Sequence, residues 1–275
     1  MKSVLVGQTR LNVTQSGSGA PLLLVHAFPL DHSMWTAQIE RFASHWHVIA
    51  PDLRGCGTSD VTPGTVSVEQ MADDCAAVLD ALEVREPVIF CGLSMGGYIA
   101  WQFARKYAAR LRALVLCDTR AKADTPEARA SRMKMLEHVM RAGTEYLAEA
   151  MLPRLFAADS LTRLPGAVEF VRERILLAPP EGVAATLRGI ADRPDMSWLL
   201  PQIRVPTLLV VGEHDVITPP DEMREVAGGI AGAEFVVIKD AGHLPPLEAP
   251  VEFNAVLAKF LATRVEPNSS AVRRS

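Results

Sequence analysis

Short apolar runs alternate with segments of helical period along most of the chain, and this alternation constrains the fold more than any other feature. The runs are rich in β-branched residues and show little polar alternation, as is typical of strands buried on both faces. They are residues 22–26, 47–50, 88–92, 113–117, 207–212 and 235–238. Strands separated by helices need crossover connections, so the order predicts an α/β architecture with a mostly parallel sheet flanked by helices. Turn-forming residues before Ala20 also predict an antiparallel hairpin at the edge of this sheet.

The alternation breaks between the fourth and fifth runs, where four segments of helical period follow one another without a convincing strand. Thr125 followed by Pro126 is a typical helix start there. Because open α/β sheets bind ligands beyond the carboxyl ends of their strands, we expect this helical insertion to cover the site as a cap. A second packing layer without a role in binding is the alternative. The expected division is a core of residues 1–121 and 198–265, a cap of residues 122–197 and a disordered tail of residues 266–275.

Composition limits the possible partners. The chain has 275 residues, of which 49% are apolar, which is enough for one domain with a sizeable core. Its formal net charge of −4 gives no electrostatic reason to expect nucleic acid or an anionic membrane as a partner. No apolar run is long enough to span a bilayer, and the first residues do not resemble a signal peptide, so we expect a cytoplasmic protein. The cysteines lack metal-ligand spacing and are expected to be buried free thiols: Cys56, Cys75, Cys91 and Cys117.

The strongest local signal for chemistry is CGLSMGG at residues 91–97, which follows a strand-like run and precedes a helical segment. This is the G-x-S-x-G pattern in the strand–turn–helix context of a nucleophilic serine, here Ser94. The sharp turn crowds the neighbouring positions, where Gly92, Gly96 and Gly97 leave out side chains. The helix that follows directs its first NH groups towards developing negative charge, so the NH of Met95 is expected to be the first oxyanion donor.

A serine hydroxyl needs a general base and an orienting carboxylate, which follow the serine in the chain order acid, then histidine. His243 is the best candidate base because it lies in the loop after the last strand-like run. Asp215 is the preferred acid, since it follows the fifth run in a tight loop before Pro219. Asp118 directly follows the fourth run at the same sheet edge. It stays open as an alternative acid, or as an anchor of the cap entrance through local hydrogen bonds.

The second oxyanion donor is expected in the loop after the first run, as the NH of Phe28. Its ring then lines the acyl side of the pocket, unless it is purely structural. His26 is expected to order this loop by hydrogen bonding and not to transfer a proton. Phe28, Met95 and Trp198 are candidates to line a largely apolar substrate pocket. The methionines of the cap either join them or serve only for packing: Met133, Met135, Met140 and Met151.

Five segments together resemble the α/β-hydrolase superfamily over nearly the whole chain: HAFPLDHSMW, PDLRGCGTSD, CGLSMGGYIA, VVGEHDVITPP and DAGHLPPLEAP. Within it the chain is similar to small bacterial carboxylesterases, 3-oxoadipate enol-lactonase-like hydrolases and cofactor-free perhydrolases, which share its length and a helical cap. The resemblance implies a nucleophile, acid, base and two oxyanion donors at Ser94, Asp215, His243, Phe28 and Met95. It implies no metal and no organic cofactor. The superfamily's dehalogenases and epoxide hydrolases carry aspartate as nucleophile, so the serine argues against both.

Two positions depart from the pattern of the superfamily. The usual His-Gly pair is His26-Ala27 here, and Cys56 stands where a histidine is usual. If position 27 requires a positive φ, alanine costs about 1 kcal/mol or more there and displaces the Phe28 NH. We expect a loop that has adapted to Ala27, and we expect Cys56 to fill the space of the usual imidazole.

The predicted function is hydrolysis of carboxylic ester or lactone bonds of small molecules through an acyl-enzyme on Ser94. The same triad serves amide and carbon–carbon bond hydrolysis, and also acyl transfer or perhydrolysis, in which an alcohol or a peroxide replaces water. A non-catalytic ligand receptor on a hydrolase scaffold is the alternative from another class. The motifs determine neither the substrate, the stereochemistry nor the oligomeric state.

Overall fold

An eight-stranded sheet forms the centre of the molecule in the computed structural model, which describes residues 1–265. The strands are β1 (Lys2–Val6), β2 (Thr9–Ser16), β3 (Pro21–Val25), β4 (His47–Pro51), β5 (Val88–Leu93), β6 (Leu111–Cys117), β7 (Thr207–Gly212) and β8 (Glu234–Ile238). Their order is β1-β2-β4-β3-β5-β6-β7-β8. β3 to β8 pair in parallel, whereas β2 pairs antiparallel with both β1 and β4. The predicted mostly parallel sheet and its edge hairpin are confirmed.

Helices flank the sheet. They are α1 (Thr36–Phe42), α2 (Val68–Ala81), α3 (Met95–Lys106), α4 (Pro126–Ala142), α5 (Glu145–Leu155), α6 (Ser160–Arg163), α7 (Pro165–Leu177), α8 (Pro180–Ala191), α9 (Pro220–Gly228), α10 (Pro245–Glu248) and α11 (Pro250–Phe260). Every residue of β3, β5 and β7 is buried, because both faces of these strands are covered. This burial explains why the strands appear in the sequence as continuous apolar runs.

The five helices α4 to α8 form one insertion between β6 and β7, so the predicted helical cap is confirmed. α4 begins as predicted, with the Thr125 hydroxyl accepting a hydrogen bond from the Ala128 NH. α8 packs closely on the core, since a Cβ on Gly182 would lie 2.2 Å from the Gly55 carbonyl oxygen. The division of the chain at residues 121/122 and 197/198 stays a prediction. The predicted tail at residues 266–275 lies outside the described residues.

All four cysteines are buried free thiols, as expected. Burial raises the pKa of the Cys56 thiol far above its usual value, which disfavours the reactive thiolate. Within residues 1–265, no helix combines the length and the apolar character needed to cross a membrane.

Candidate active site

Ser94 lies at the sharp turn between β5 and α3. Its φ of 53° and ψ of −108° place it in a region that non-glycine residues seldom adopt. The Ser94 NH donates to the Cys117 carbonyl at 2.9 Å, and the Ser94 carbonyl accepts from the Thr119 hydroxyl at 2.8 Å. One hydrogen bond to Cys117, the last residue of β6, and one to Thr119 just beyond it therefore hold the strained turn in place.

The glycines around Ser94 allow close backbone approaches. A Cβ on Gly96 would lie 2.3 Å from the Val25 carbonyl oxygen, and one on Gly92 would lie 2.3 Å from the Gly96 carbonyl oxygen. A Cβ on Gly97 would lie 2.3 Å from the Thr119 hydroxyl oxygen. The crowding expected from the sequence is therefore present at all three glycines.

His243 and Asp215 form a buried hydrogen-bonded pair, with 2.8 Å between Nδ1 and Oδ2. The Asp215 carboxylate also accepts hydrogen bonds from the NH of Ile217 at 2.7 Å and from both the NH and the hydroxyl of Thr218. Burial acts to raise the pKa of Asp215, but the His243 ring and the Thr218 groups lower it well below its usual value. The carboxylate is therefore ionised, and its bond to Nδ1 leaves Nε2 as the free ring nitrogen.

The loop that carries His243 is joined to the cap. The His243 NH donates to the carbonyl of Leu155, the last residue of α5, at 2.9 Å. Buried Glu248 accepts from three backbone NH groups, those of Gly242 at 2.8 Å, Leu244 at 3.2 Å and Ala157 at 2.9 Å. Because Leu155 and Ala157 belong to the insertion, the cap and the histidine loop form one hydrogen-bonded unit. Sequence reasoning did not single out Glu248, although its place between the histidine and the last helix was visible.

The loop after β3 is ordered by His26, as expected. Its Nδ1 lies 2.9 Å from the Ala27 carbonyl oxygen, and its Nε2 accepts from the Leu53 NH at 3.0 Å. Burial lowers the pKa of His26, which favours the neutral ring that these two bonds require. Ala27 is buried and is not among the described residues with positive φ, so alanine is unstrained there. Position 27 therefore accepts alanine without a positive φ, and the adaptation of the oxyanion loop stays a prediction.

A cavity of about 200 Å³ lies between the Ser94 turn, the histidine loop and the cap, and it is lined by Ser94, His243, Phe28 and Met95 among others. Within residues 1–265, no hydrogen bond joins Ser94 to His243. Hydrogen bonds between a serine and its general base are often long or poorly aligned before substrate binds. Two cap methionines, Met135 and Met151, also line the cavity. Met133 is not among the lining residues, and Met140 is 48% exposed.

Trp198 does not line this cavity, contrary to the sequence prediction. It lies in a 3-10 helix (Ser197–Gln202) that follows the cap, and it is 52% exposed. The sequence placed Trp198 near the cap boundary, but about half of its surface is exposed to solvent.

The cavity is also more charged than the sequence suggested, because Arg120, Arg132 and Arg154 contribute to its lining. Arg120 pairs with Glu222 at 3.1 Å. Arg132 pairs with Asp124 at 2.5 Å, and the same carboxylate pairs with buried Arg193 at 2.7 Å. Arg154 is exposed and forms no ion pair or side-chain hydrogen bond within residues 1–265. The arginines at this cavity therefore outnumber their acidic partners.

Asp118 lies close to the Asp215–His243 pair, but only Asp215 is hydrogen-bonded to the histidine. Asp118 Oδ1 accepts from the Gly212 NH at 2.9 Å. One oxygen or nitrogen atom of each of Asp118, Asp215 and His243 lies within 4.8 Å of the others. Burial, and then the charge of Asp215, raise the pKa of Asp118 well above its usual value.

A second cluster of possible metal ligands consists of Asp31, His32 and Asp52. The Asp52 carboxylate accepts from the His32 NH at 3.0 Å and from the Thr58 NH at 2.9 Å, and its Oδ1 lies 2.5 Å from His32 Nδ1. These hydrogen bonds join His32, in the segment after β3, to the loop after β4, and Asp31 accepts from the Ser33 NH at 2.8 Å. The cluster is therefore explained as part of the loop structure.

Comparison with known proteins agrees with this architecture. A family model described as alpha/beta hydrolase fold matches residues 20–250. The chain belongs to the α/β-hydrolase family. Such hydrolases place their nucleophile at a strand-to-helix turn like the one at Ser94.

This α/β hydrolase is similar to esterases and lactonases. A thermophilic esterase from Thermogutta terrifontis, solved with malate bound, shares 45% identity over 96% of this chain and 100% of its own, with a TM-score of 0.94. The enol-lactonase from Burkholderia xenovorans shares 31% identity over 95% of this chain and 100% of its own, with a TM-score of 0.88. A 3-oxoadipate enol-lactonase from Acinetobacter baylyi is 27% identical over 87% of this chain and 89% of its own length.

Proposed function

We propose that the chain is a serine hydrolase that cleaves carboxylic ester or lactone bonds of small molecules through an acyl-enzyme on Ser94. The observation that carries the proposal is the buried hydrogen bond between Asp215 and His243, at a cavity that Ser94 also lines. An ionised carboxylate that orients an imidazole near a serine is the arrangement needed to activate a hydroxyl group.

In the proposed cycle, His243 takes the Ser94 proton at Nε2 while the serine oxygen attacks the substrate carbonyl. Asp215 stays ionised and stabilises the imidazolium. The NH groups of Met95 and Phe28 hold the oxyanion of the tetrahedral intermediate. His243 then protonates the departing alkoxide. Water, activated by the same imidazole, releases the carboxylic acid and restores the serine.

Ester and lactone bonds are favoured over other acyl bonds because the similar proteins named above are esterases and lactonases. Amide or carbon–carbon bond hydrolysis and acyl transfer need the same residues. Product ratios measured with added methanol or hydrogen peroxide distinguish hydrolysis by water from transfer of the acyl group to these two acceptors. A receptor without catalysis would give neither turnover nor serine labelling.

The cavity arginines support a preference for substrates that carry a carboxylate. Arg154 has no partner within the described chain, and Arg132 shares the single carboxylate of Asp124 with Arg193. A guanidinium group that lacks a protein partner can bind a substrate carboxylate. The malate bound to the Thermogutta esterase is itself a dicarboxylate.

The nucleophile is tested by turnover of p-nitrophenyl acetate and by labelling with a fluorophosphonate. We expect stoichiometric labelling that is lost in Ser94→Ala and kept in the control Ser3→Ala, which changes an exposed serine of β1. Asp215→Asn should lower kcat by about 10³-fold or more. Labelling or turnover that survives Ser94→Ala would refute the proposal.

The substrate preference is tested with two esters that share a leaving group, p-nitrophenyl hemisuccinate and p-nitrophenyl butyrate. Arg154→Gln should lower kcat/KM for the anionic ester by about fivefold, the effect of one partly solvated charge pair. The neutral ester serves as the internal control. An equal change in kcat/KM for both esters would mean that Arg154 does not bind the carboxylate of the anionic substrate.

A further inference from the structure

Asp118 is held in an unusual conformation at the end of β6. Its φ of 44° is rare for a residue other than glycine and costs free energy. The Asp118 NH donates to the Val210 carbonyl at 2.9 Å, and Oδ1 accepts from the Gly212 NH at 2.9 Å. Both contacts are with β7, so they bring the carboxyl group to the loop that carries Asp215.

The two carboxyl groups have very different surroundings. Asp215 accepts four hydrogen bonds, from Ile217, from His243 and twice from Thr218. Asp118 accepts one, and no donor within residues 1–265 reaches its fully buried Oδ2.

The charges that act most strongly on Asp118 are also acidic. They are Asp215 in the loop after β7 and Glu248 in α10. Asp118, Asp215 and His243 each place one titratable atom within 4.8 Å of the other two. Two buried carboxyl groups at such a distance do not both ionise, so one of them retains a proton.

We propose that Asp118 is a positioning residue of the active site: as a neutral carboxylic acid, it donates a hydrogen bond from Oδ2 to the Asp215 carboxylate. The inference rests on the proposed roles of Ser94, Asp215 and His243. The proton resides on Asp118 because Asp215 has four donors that stabilise its charge, whereas Asp118 has one. The proton also gives the unpartnered Oδ2 a function as a donor.

This hydrogen bond adds a further contact that orients the Asp215 carboxylate, without placing a second negative charge beside the imidazole. Orientation of the imidazole matters in the chemical step, because a small displacement of a catalytic group lowers kcat strongly. Asp118 lies outside the set of cavity-lining residues, so its loss should change kcat and leave KM almost unchanged.

The test uses Asp118→Asn and Asp118→Ala in the full chain. Asparagine can still accept from the Gly212 NH and donate its amide NH to Asp215. We therefore expect kcat of Asp118→Asn within about threefold of wild type and kcat of Asp118→Ala lowered by roughly tenfold or more, with KM within about twofold. Asp221→Asn is the matched control, because that exposed carboxylate lies in the first turn of α9, which follows β7.

The pH profile of kcat/KM separates a neutral from an ionised Asp118. If Asp118 is neutral, Asp118→Asn leaves the acid side of the profile where it is in wild type. If Asp118 carries a charge, its removal takes a negative charge away from the imidazole, and the acid side moves to lower pH by roughly one unit or more. Such a move would overturn the proposal, as would a wild-type kcat in Asp118→Ala.

Thermal unfolding gives a readout that does not depend on activity. The native protein keeps the Asp118 proton, and the unfolded chain releases it above about pH 4, so wild type loses stability relative to Asp118→Asn as the pH rises. The Tm of Asp118→Asn should therefore gain on that of wild type between about pH 5 and about pH 8. If the Tm of wild type instead gains on that of Asp118→Asn over this pH range, the proposal is overturned. This measurement does not need Asp118→Ala, so it tests the proposal even if that variant does not fold. Ser94→Ala, measured in parallel, shows whether the proposed function itself holds.

Discussion

Glu248→Gln should weaken both the fold and the proposed catalysis, because Glu248 joins the histidine loop to the cap. The side chain is 3% exposed and accepts from the NH groups of Gly242, Leu244 and Ala157. Glutamine keeps one oxygen for the first two groups but directs its NH₂ towards the Ala157 NH. One buried donor then loses its acceptor and meets another donor.

An orphaned buried donor costs about 1–3 kcal/mol, and this is the expected loss of unfolding free energy in Glu248→Gln. Glu248→Ala orphans all three donors, so the loss should be about 3 kcal/mol or more. Urea unfolding measures both as a lower midpoint at an unchanged m value. The control is Glu252→Gln at an exposed position of α11, which should stay within about 0.5 kcal/mol of wild type.

Glu248→Gln should also lower kcat, because the NH groups of Gly242 and Leu244, from which Glu248 accepts hydrogen bonds, flank His243. A looser loop misplaces the imidazole, and we expect kcat for p-nitrophenyl acetate to fall by roughly tenfold well below the Tm. Equal midpoints and equal kcat in Glu248→Gln and wild type would refute the reasoning that this carboxylate supports the histidine loop.

Three further predictions test the local structure. Gly96→Ala should destabilise the protein by about 1–3 kcal/mol or prevent folding, because its Cβ would lie 2.3 Å from the Val25 carbonyl oxygen, whereas Gly166→Ala in α7 meets nothing within 4 Å and should raise the Tm. Ala27→Gly should leave kcat within about twofold and cost about 1 kcal/mol in urea unfolding, since position 27 does not need a positive φ. Burial raises the pKa of Asp52, but hydrogen bonds from His32 and Thr58 lower it to about 2. The stabilisation that ionised Asp52 provides is therefore present above about pH 4 and is lost as the pH falls towards 2. In acid unfolding over this pH range, Asp52→Asn should lose about 2 kcal/mol less unfolding free energy than wild type.

The alternation of strands and helices, the edge hairpin and the helical insertion could all be predicted, because each follows from local apolar period and turn chemistry. The glycine-rich turn at Ser94 could also be predicted, since its strand, turn and helix are contiguous in the sequence. The prediction that Trp198 lines the pocket was wrong, because the surroundings of a side chain next to a boundary between two elements depend on packing with distant residues.

The sequence by itself determined the sheet, the cap and the chain order of a serine, an acid and a histidine. Hydrophobic period and motif spacing depend on residues that are close together in the chain, so both are visible in the sequence. Only the tertiary structure decided that Asp215 and not Asp118 contacts His243, since both aspartates follow parallel strands at one edge. It alone also revealed the support from Glu248 and the arginines of the cavity. The physical reason is that hydrogen-bond partners and charge balance depend on distances between segments far apart in the chain, which no local pattern records.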